Sequence, residues 1–149
     1  MEEKTMTVKQ LSVFVENRPG RLSAVTEALA SAGINIRAVS IADTKDFGIM
    51  RIIVNDTDKA IAALKENGFI ASAANVIAVI ADDKPGSMAS IMKILYNANI
   101  SVEYMYAAFL NRDKGTACLI LRVDNNENAV EALKDADCTL ISEKELSEI

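Results

Sequence analysis

Histidine and tryptophan are absent from the 149 residues, and cysteine, proline and glycine are scarce, with 2, 2 and 6 copies. Without histidine, the chain cannot build a Ser-His-Asp or Cys-His catalytic arrangement or a histidine-ligated metal site. Acid–base catalysis near neutral pH would then need a carboxyl, lysine or cysteine side chain with a shifted pKa, and no motif points to one. The sequence therefore predicts neither an enzyme nor a cofactor.

Cysteine is too rare to support a metal cluster. Cys118 and Cys138 are the only thiols, and neither belongs to a CxxC pair. Two cysteines supply too few ligands for a zinc or iron–sulfur site. Each lies in an apolar segment of strand-like composition, which predicts buried, reduced thiols, and a disulfide would be unusual in a chain this poor in cysteine.

Basic residues are also few, since 16 Lys and Arg stand against 21 Asp and Glu, giving a formal net charge of −5. Nucleic-acid binding needs clustered positive charge, so no nucleic-acid partner is expected. No apolar run approaches the roughly 18 residues of a transmembrane helix. The first four residues carry acids where a signal peptide carries basic residues. We therefore expect a cytoplasmic protein with no membrane partner.

The sequence contains an internal repeat. Residues 18–22, Arg-Pro-Gly-Arg-Leu, recur as Lys-Pro-Gly-Ser-Met at 84–88, an offset of 66. After a three-residue insertion the offset becomes 69, and Ala-Leu-Lys at 63–65 recurs at 132–134. An offset held over about seventy residues indicates a tandem duplication. It predicts two domains, residues 1–74 and 75–149.

Each half shows the same order of predicted elements. Residues 9–16 and 75–81 are rich in Val and Ile and read as strands, each closed by a Pro-Gly turn. Residues 21–32 and 87–98 place apolar side chains at helical spacing. Two more strands, a short helix and a final strand complete each half, with polar turns predicted near 43–46 and 111–115.

This order predicts an α+β fold of two ferredoxin-like βαββαβ modules, each an antiparallel sheet with its helices on one face. Only about two residues separate the predicted final strand of the first module, 69–73, from the first strand of the second. No flexible linker intervenes, so we expect the two modules to pack closely. The acidic end, residues 142–149, is expected to form a short helix or a fraying tail, anchored by Leu146 and Ile149.

A βαββαβ module with a Pro-Gly turn before its first helix and Gly-Ile-Asn-Ile after it resembles the ACT domain, a small regulatory module of amino-acid metabolism. The first copy carries these features at residues 16–22 and 32–36, and the second matches more weakly at 83–88 and 98–102. The resemblance covers nearly the whole chain and implies a stand-alone tandem ACT protein.

The chemistry of the turn favours anion binding independently of the resemblance. A Pro-Gly turn lets another group approach the backbone and leaves the first amides of the helix unpaired, where the helix dipole is positive. A carboxylate can bind there. Arg18 and Arg21 add positive charge, while Asn17 and Asn35 offer amide donors and acceptors to an amino acid.

ACT modules bind small amino acids between paired modules, where the turn of one meets the segment after the first helix of the other. Carried over to this chain, the resemblance implies that residues 17–22 face 99–102 and that 84–88 face 33–36. The expected ligand-binding residues are Asn17, Arg18, Pro19, Gly20, Arg21, Leu22, Gly33, Ile34, Asn35, Ile36, Lys84, Pro85, Gly86, Ser87, Met88, Asn99, Ile100 and Ser101.

The same residues also allow a purely structural interpretation. A Pro-Gly turn before a helix is common without any ligand, and Gly33 is a good helix stop in any case. In this interpretation, Arg21 and Arg37 are solvated side chains on the surface. Tyr104 and Tyr106 lie on one face of a strand and serve sheet packing.

Three functions are therefore compared. The leading hypothesis is a non-enzymatic amino-acid sensor of amino-acid metabolism that forms a homodimer and has a free amino acid as its ligand. The alternative is a ligand-free interaction module that docks on a metabolic enzyme. A small enzyme of the same fold is the least favoured, because the sequence lacks histidine and a paired-carboxylate motif.

Overall fold

The computed structural model describes residues 6–43, 47–109 and 115–148. The predicted turns near 43–46 and 111–115 fall largely outside these ranges, as does the expected anchor Ile149. The chain forms two compact units, Lys9–Ala74 and Asn75–Ile149, and the residues up to Val8 group with the second of them.

The first unit contains two helices and a mostly antiparallel sheet. Its elements are β1 (Val8–Glu16), α1 (Arg21–Ser31), β2 (Ile36–Asp43), β3 (Phe47–Val54), α2 (Thr57–Glu66) and the start of β4 (Ala71–Asp82). Strand β3 pairs antiparallel with both β1 and β2, with Val13 opposite Met50 and Val39 opposite Ile52. The amide of Phe14 also donates to the carbonyl of Ile70, 3.2 Å away.

The second unit repeats this plan and adds a C-terminal helix. Its elements are the rest of β4, α3 (Ser87–Asn97), β5 (Val102–Ala107), β6 (Thr116–Val123), α4 (Asn126–Lys134), β7 (Thr139–Ile141) and α5 (Glu143–Glu148). Strand β6 pairs antiparallel with β4 and β5, and β7 pairs antiparallel with β4.

The pattern of burial places the helices of each unit on one face of its sheet. In the first unit, alternate residues of β1 and β3 form the core with Val25 and Leu29 of α1 and Leu64 of α2. The second core is built in the same way around Ile91, Leu95 and Leu133. Because strand side chains alternate between faces, a core drawn from every second residue lies on one side. The predicted α+β fold with helices on one face is confirmed.

The strand β4 differs from the prediction. The predicted strands at 69–73 and 75–81 form one strand, which starts at Ala71 and runs without a break to Asp82. The segment contains no proline or glycine that could end it. The carbonyl of Asn75, where a break was expected, accepts hydrogen bonds from Arg122 Nη1 at 2.9 Å and Asn126 Nδ2 at 3.2 Å.

Both long helices end in the same way. Gly33 and Asn99 follow α1 and α3 with φ of +73° and +59°. In each unit the next amide, of Ile34 or Ile100, donates to the carbonyl five residues earlier at 2.9 Å. This is a Schellman-type helix end, in which asparagine is the usual substitute for glycine. The predicted role of Gly33 as a helix stop is confirmed.

The C-terminal residues form a helix rather than a fraying tail. Ser142 Oγ accepts the amide of Glu145 at 3.2 Å, and Glu145 Oε1 accepts the amide of Ser142 at 3.2 Å. This reciprocal pair is a capping box, which satisfies two donors at the start of the helix. Leu146 is fully buried, as expected for an anchor. Among the described helices, none is long and apolar enough to span a membrane.

Candidate functional site

The helices α1 and α3 begin without a side-chain cap. Their N-cap residues, Gly20 and Gly86, have φ of +86° and +91°, a conformation that strains any residue with a Cβ. In contrast, the side chains of Asp56 and Asn125 cap α2 and α4, accepting backbone amides at 3.2 and 3.0 Å. Amides in the first turns of α1 and α3 therefore lack the side-chain acceptor that the short helices have.

Space is open beside both glycines. A Cβ built on Gly20 or on Gly86 would meet no heavy atom within 4 Å. The backbone of each turn can thus be approached from outside by another molecule. This is the access that the sequence predicted for a Pro-Gly turn.

Each turn carries an exposed ion pair. Arg18 Nε lies 2.8 Å from Glu16 Oε2, and Lys84 Nζ lies 3.6 Å from Asp82 Oδ2, with all four side chains more than half exposed. Exposed ion pairs stabilise a fold by only about 0–1 kcal/mol. Arg18 and Lys84 can therefore exchange their partners for a ligand carboxylate at little cost.

The purely structural interpretation predicted that the Arg21 side chain is solvated, and this prediction is wrong. Its guanidinium carbon lies 4.8 Å from the centre of the Phe69 ring, a cation–π contact. Its Nε is buried and has no hydrogen-bond partner among the described residues. Arg37 is also half-buried, and its Nε and Nη2 lack partners in the same part of the chain. The Arg21 side chain thus lies between the start of α1 and the segment after α2.

The second unit has a cavity at the corresponding place. Ser87 and Cys138 occupy the positions equivalent to Arg21 and Phe69, at offsets of 66 and 69. Both line a cavity of about 240 Å³ beside the start of α3. Its other lining residues are Asp82, Lys84, Pro85, Gly86, Ser90, Ile91, Ile94, Ala136 and Asp137. Two small side chains thus border this cavity at positions where the first unit holds an arginine and a phenylalanine in contact.

A wider groove of about 890 Å³ lies along α4 and β7 in the second unit. Met6 and Thr7 also line it, together with Val130 and Leu133 of α4. Cys138 borders both the groove and the smaller cavity. This groove was not predicted from the sequence.

The structure brings together only some of the predicted site residues. Lys84, Pro85, Gly86 and Ser87 line the cavity, whereas Met88 does not and is 44 % exposed. Sequence analysis missed Ser90, Asp137 and Cys138. A comparison of residue size at the repeat positions, rather than a search for shared residues, would have found Cys138.

The predicted residues 17–22 lie at the start of α1, whereas 33–36 and 99–101 lie beyond the far ends of the long helices. Residues 33–36 and 99–101 follow α1 and α3, each 11 residues long. At about 1.5 Å per residue, each segment is roughly 16 Å along the helix from its own Pro-Gly turn. Their side chains also have local roles, because Ile34 and Ile100 belong to the cores. A site that joins a turn to such a segment therefore needs two modules and stays a prediction.

The backbone of these segments is held within its own unit. The amide of Asn35 donates to Asn55 Oδ1 at 2.9 Å, and the amide of Ser101 donates to Asp124 Oδ1 at 3.1 Å. Both amides are thus satisfied without a ligand.

The tyrosines of β5 contact each other. The rings of Tyr104 and Tyr106 stack with their centres 6.5 Å apart and their planes inclined by 18°. This confirms that the two side chains share a face of the strand.

Comparison with known proteins identifies the family. A family model described as an ACT domain pair matches residues 6–149. The chain belongs to the ACT domain pair family. ACT domains are regulatory modules, which gives this chain a regulatory role and confirms the resemblance seen in the sequence.

Solved structures share the fold of this chain. A protein of Bacteroides thetaiotaomicron is 38% identical, with 97% of this chain and 98% of that chain covered and a TM-score of 0.89. The regulatory subunit of aspartate kinase from Thermus thermophilus, in its ligand-free form, is 16% identical over 88% and 93% of the chains, with a TM-score of 0.64. The corresponding subunit from Thermus flavus is 16% identical over 87% and 93%, with a TM-score of 0.57. No curated protein matches the sequence significantly.

Neither Cys118 nor Cys138 forms a disulfide in this ACT pair. The prediction of buried thiols is confirmed for Cys118 and wrong for Cys138, which is partly exposed. The Cys138 thiol donates to the carbonyl of Leu133, with Sγ 3.7 Å from the oxygen. Burial, and then the charge of Asp137, raise the pKa of Cys138 because both disfavour the thiolate.

We expect the raised pKa to slow alkylation of Cys138. In a Cys118→Ser chain, where Cys138 is the only thiol, the rate of reaction with iodoacetamide should reach half its maximum at a higher pH than for an unstructured cysteine peptide, because the thiolate is the nucleophile. Adding Asp137→Asn should move this midpoint to lower pH. A midpoint at or below that of the peptide would contradict the burial of Cys138.

Proposed function

We propose that this ACT pair is a non-enzymatic regulatory protein of the cytoplasm that binds a free amino acid at its Pro-Gly turns. The observation that carries the proposal is the pair of uncapped helix starts behind Gly20 and Gly86, both open to approach. The absence of a disulfide between Cys118 and Cys138 is in keeping with a reducing compartment.

The amino acid's carboxylate would bind to the amides at a helix start, where the helix dipole also favours negative charge. Arg18 or Lys84 would then turn from its exposed intra-turn partner towards the ligand. The sequence offers no histidine for acid–base chemistry, and the described residues include no cluster of three or more metal-ligating side chains. Binding rather than catalysis is what these groups support.

A docking role on a metabolic enzyme is the second candidate, and exposed aromatic side chains favour it. Phe14 and Phe47 are 51 % and 55 % exposed. Phe14 is opposite Ile49 in the β1–β3 register, and Phe47 is two residues from Ile49 on the same strand. Their side chains therefore share one face of the first unit's sheet, as an apolar surface suited to a protein partner.

We expect the protein to form a homodimer. Within the described residues, β2 pairs only with β3, and β5 pairs only with β6, so both strands have an unpaired edge. Exposed strand edges favour association with another strand. Light scattering at micromolar concentration should give twice the 16.1 kDa mass of one chain. A mass of one chain throughout that range would contradict the dimer.

Amino-acid binding can be tested by adding a side chain to both turns. A chain with Gly20→Val and Gly86→Val should fold, because neither new Cβ meets an atom within 4 Å, although each left-handed residue costs about 1–2 kcal/mol. The valines should block the approach of a carboxylate to the backbone. A thermal-shift screen of the standard amino acids should then show stabilisation of the original chain and none of the variant.

The control for this experiment is Gly68→Val. Gly68 also has a positive φ, +80°, and open space beside it, so this variant carries similar strain without adding a side chain to either Pro-Gly turn. It should keep the amino-acid response. If no amino acid stabilises the original chain, the docking role replaces the binding role.

A further inference from the structure

The wider groove along α4 and β7 has an apolar floor. It belongs to the second unit and measures about 890 Å³. The apolar side chains that line it are Met6, Val130 and Leu133 of α4, and Leu140 of β7. Leu133 is fully buried, whereas Met6, Val130 and Leu140 are only half-buried, so part of their apolar surface still meets solvent. The described residues thus leave this floor open to a partner.

Two carboxylates stand on the rim of the groove. Glu127 and Glu131 are exposed, line the groove and lie one helical turn apart on α4. Within the described residues neither forms an ion pair, and Lys134 is the only cation among the described lining residues. Exposed charges around an apolar centre are typical of protein interfaces, whereas a small-molecule site encloses most of its ligand. The groove therefore fits a protein partner.

The charge of the second half of the chain indicates the sign of the partner's charge. Residues 75–149 contain 7 Lys and Arg against 12 Asp and Glu, a formal net charge of −5, whereas residues 1–74 contain 9 of each and are neutral. The divergence of the repeats contributes to this, because Glu131 stands where the first unit has Ala62. Complementary charge speeds and orients association, so a basic partner is favoured.

The shape of the groove favours a helix as the element that binds. One wall is a face of α4, which has 9 residues and is about 14 Å long. An amphipathic helix laid along this wall places its apolar side chains on Val130 and Leu133. Basic side chains four positions apart on such a helix have the same spacing as Glu127 and Glu131.

We propose that the groove along α4 and β7 binds an amphipathic helix of another protein, one with an apolar face flanked by lysine or arginine. The apolar face lies on Val130, Leu133 and Leu140, and the cations pair with Glu127 and Glu131. This surface is separate from the Pro-Gly turns and from the aromatic surface of the first unit. It does not depend on amino-acid binding.

Synthetic peptides test this proposal. The lysine peptide contains leucine and lysine, is about 12 residues long and has leucine at helical spacing. In calorimetry it should bind the full chain, and more weakly as salt is added, because exposed charges are screened. The glutamate peptide, with glutamate in place of each lysine, should bind at least about tenfold more weakly. Equal binding of the two peptides would overturn the basic character of the partner.

A third peptide tests the helix. It has the composition of the lysine peptide, with leucine at every second position, which favours a strand. It should bind more weakly than the lysine peptide. If it binds more tightly, the partner adds to the sheet as a strand, and the proposed helix is wrong.

Charge reversal on the rim tests the location. Glu127→Lys with Glu131→Lys changes two exposed side chains and should weaken binding of the lysine peptide at least about tenfold. The same variant should bind the glutamate peptide more tightly than the original chain does. The matched control is Glu27→Lys with Glu66→Lys, which makes the same change in net charge at exposed helix positions of the first unit. The control should keep the affinity of the original chain.

An equal loss of affinity in the rim variant and in the control would mean that the peptide responds only to net charge, which would overturn the groove as the site. NMR gives a readout of location without any substitution. The lysine peptide should shift the backbone amide signals of residues 126–134 and 138–140 most. Shifts concentrated elsewhere, or no binding of any of the three peptides, would overturn the proposal and leave the proposed amino-acid binding unaffected.

Discussion

The space beside the first helix of each unit is decided by the two side chains that face it. In the first unit, the guanidinium of Arg21 covers the ring of Phe69, so the start of α1 is closed on its inner side. In the second unit, a serine and a thiol stand at these positions, and a cavity lined mostly by exposed residues lies beside the start of α3. Both helix starts lack a side-chain cap, and this is where the proposed amino-acid ligand would bind.

Both copies keep what the fold requires, namely the left-handed glycine before the long helix, the Schellman-type end and the core on one face of the sheet. Other positions have diverged, among them Arg21 and Phe69, which are Ser87 and Cys138 in the second copy. The first copy also presents an apolar surface at Phe14 and Phe47, which would suit the docking role proposed as the second candidate function.

The fold could be predicted from the sequence because its signals are local. Nearly every element was predicted from the Pro-Gly turns, from the helical spacing after them and from the constant offset between the repeats. The fusion of two predicted strands into β4 was missed, because Arg122 and Asn126, which hold the Asn75 carbonyl, are about fifty residues away along the chain. Such a contact leaves no local pattern. The last strand was predicted, but the sequence left a short helix and a fraying tail open at 142–149, and the Ser142–Glu145 capping box and the burial of Leu146 decide for the helix.

The candidate site was predicted only in part. The turn residues Lys84 to Ser87 were identified from their motif, but the sequence favoured the first copy, whose motif is better preserved. The cavity lies in the second copy. Its volume depends on the sizes of side chains that are far apart in the sequence, such as Ser87 and Cys138. A well-preserved motif indicates the conformation of a turn. It does not indicate how much space lies beside the turn.

The most direct test of this account is to follow the backbone amide signals of the 16.1 kDa chain by NMR while each standard amino acid is added in turn. The account predicts that an amino acid shifts the signals of a Pro-Gly turn and the helix start behind it, at Arg18 to Ser23 or at Lys84 to Ala89. Shifts confined to other residues, or no shifts with any amino acid at saturation, would contradict it.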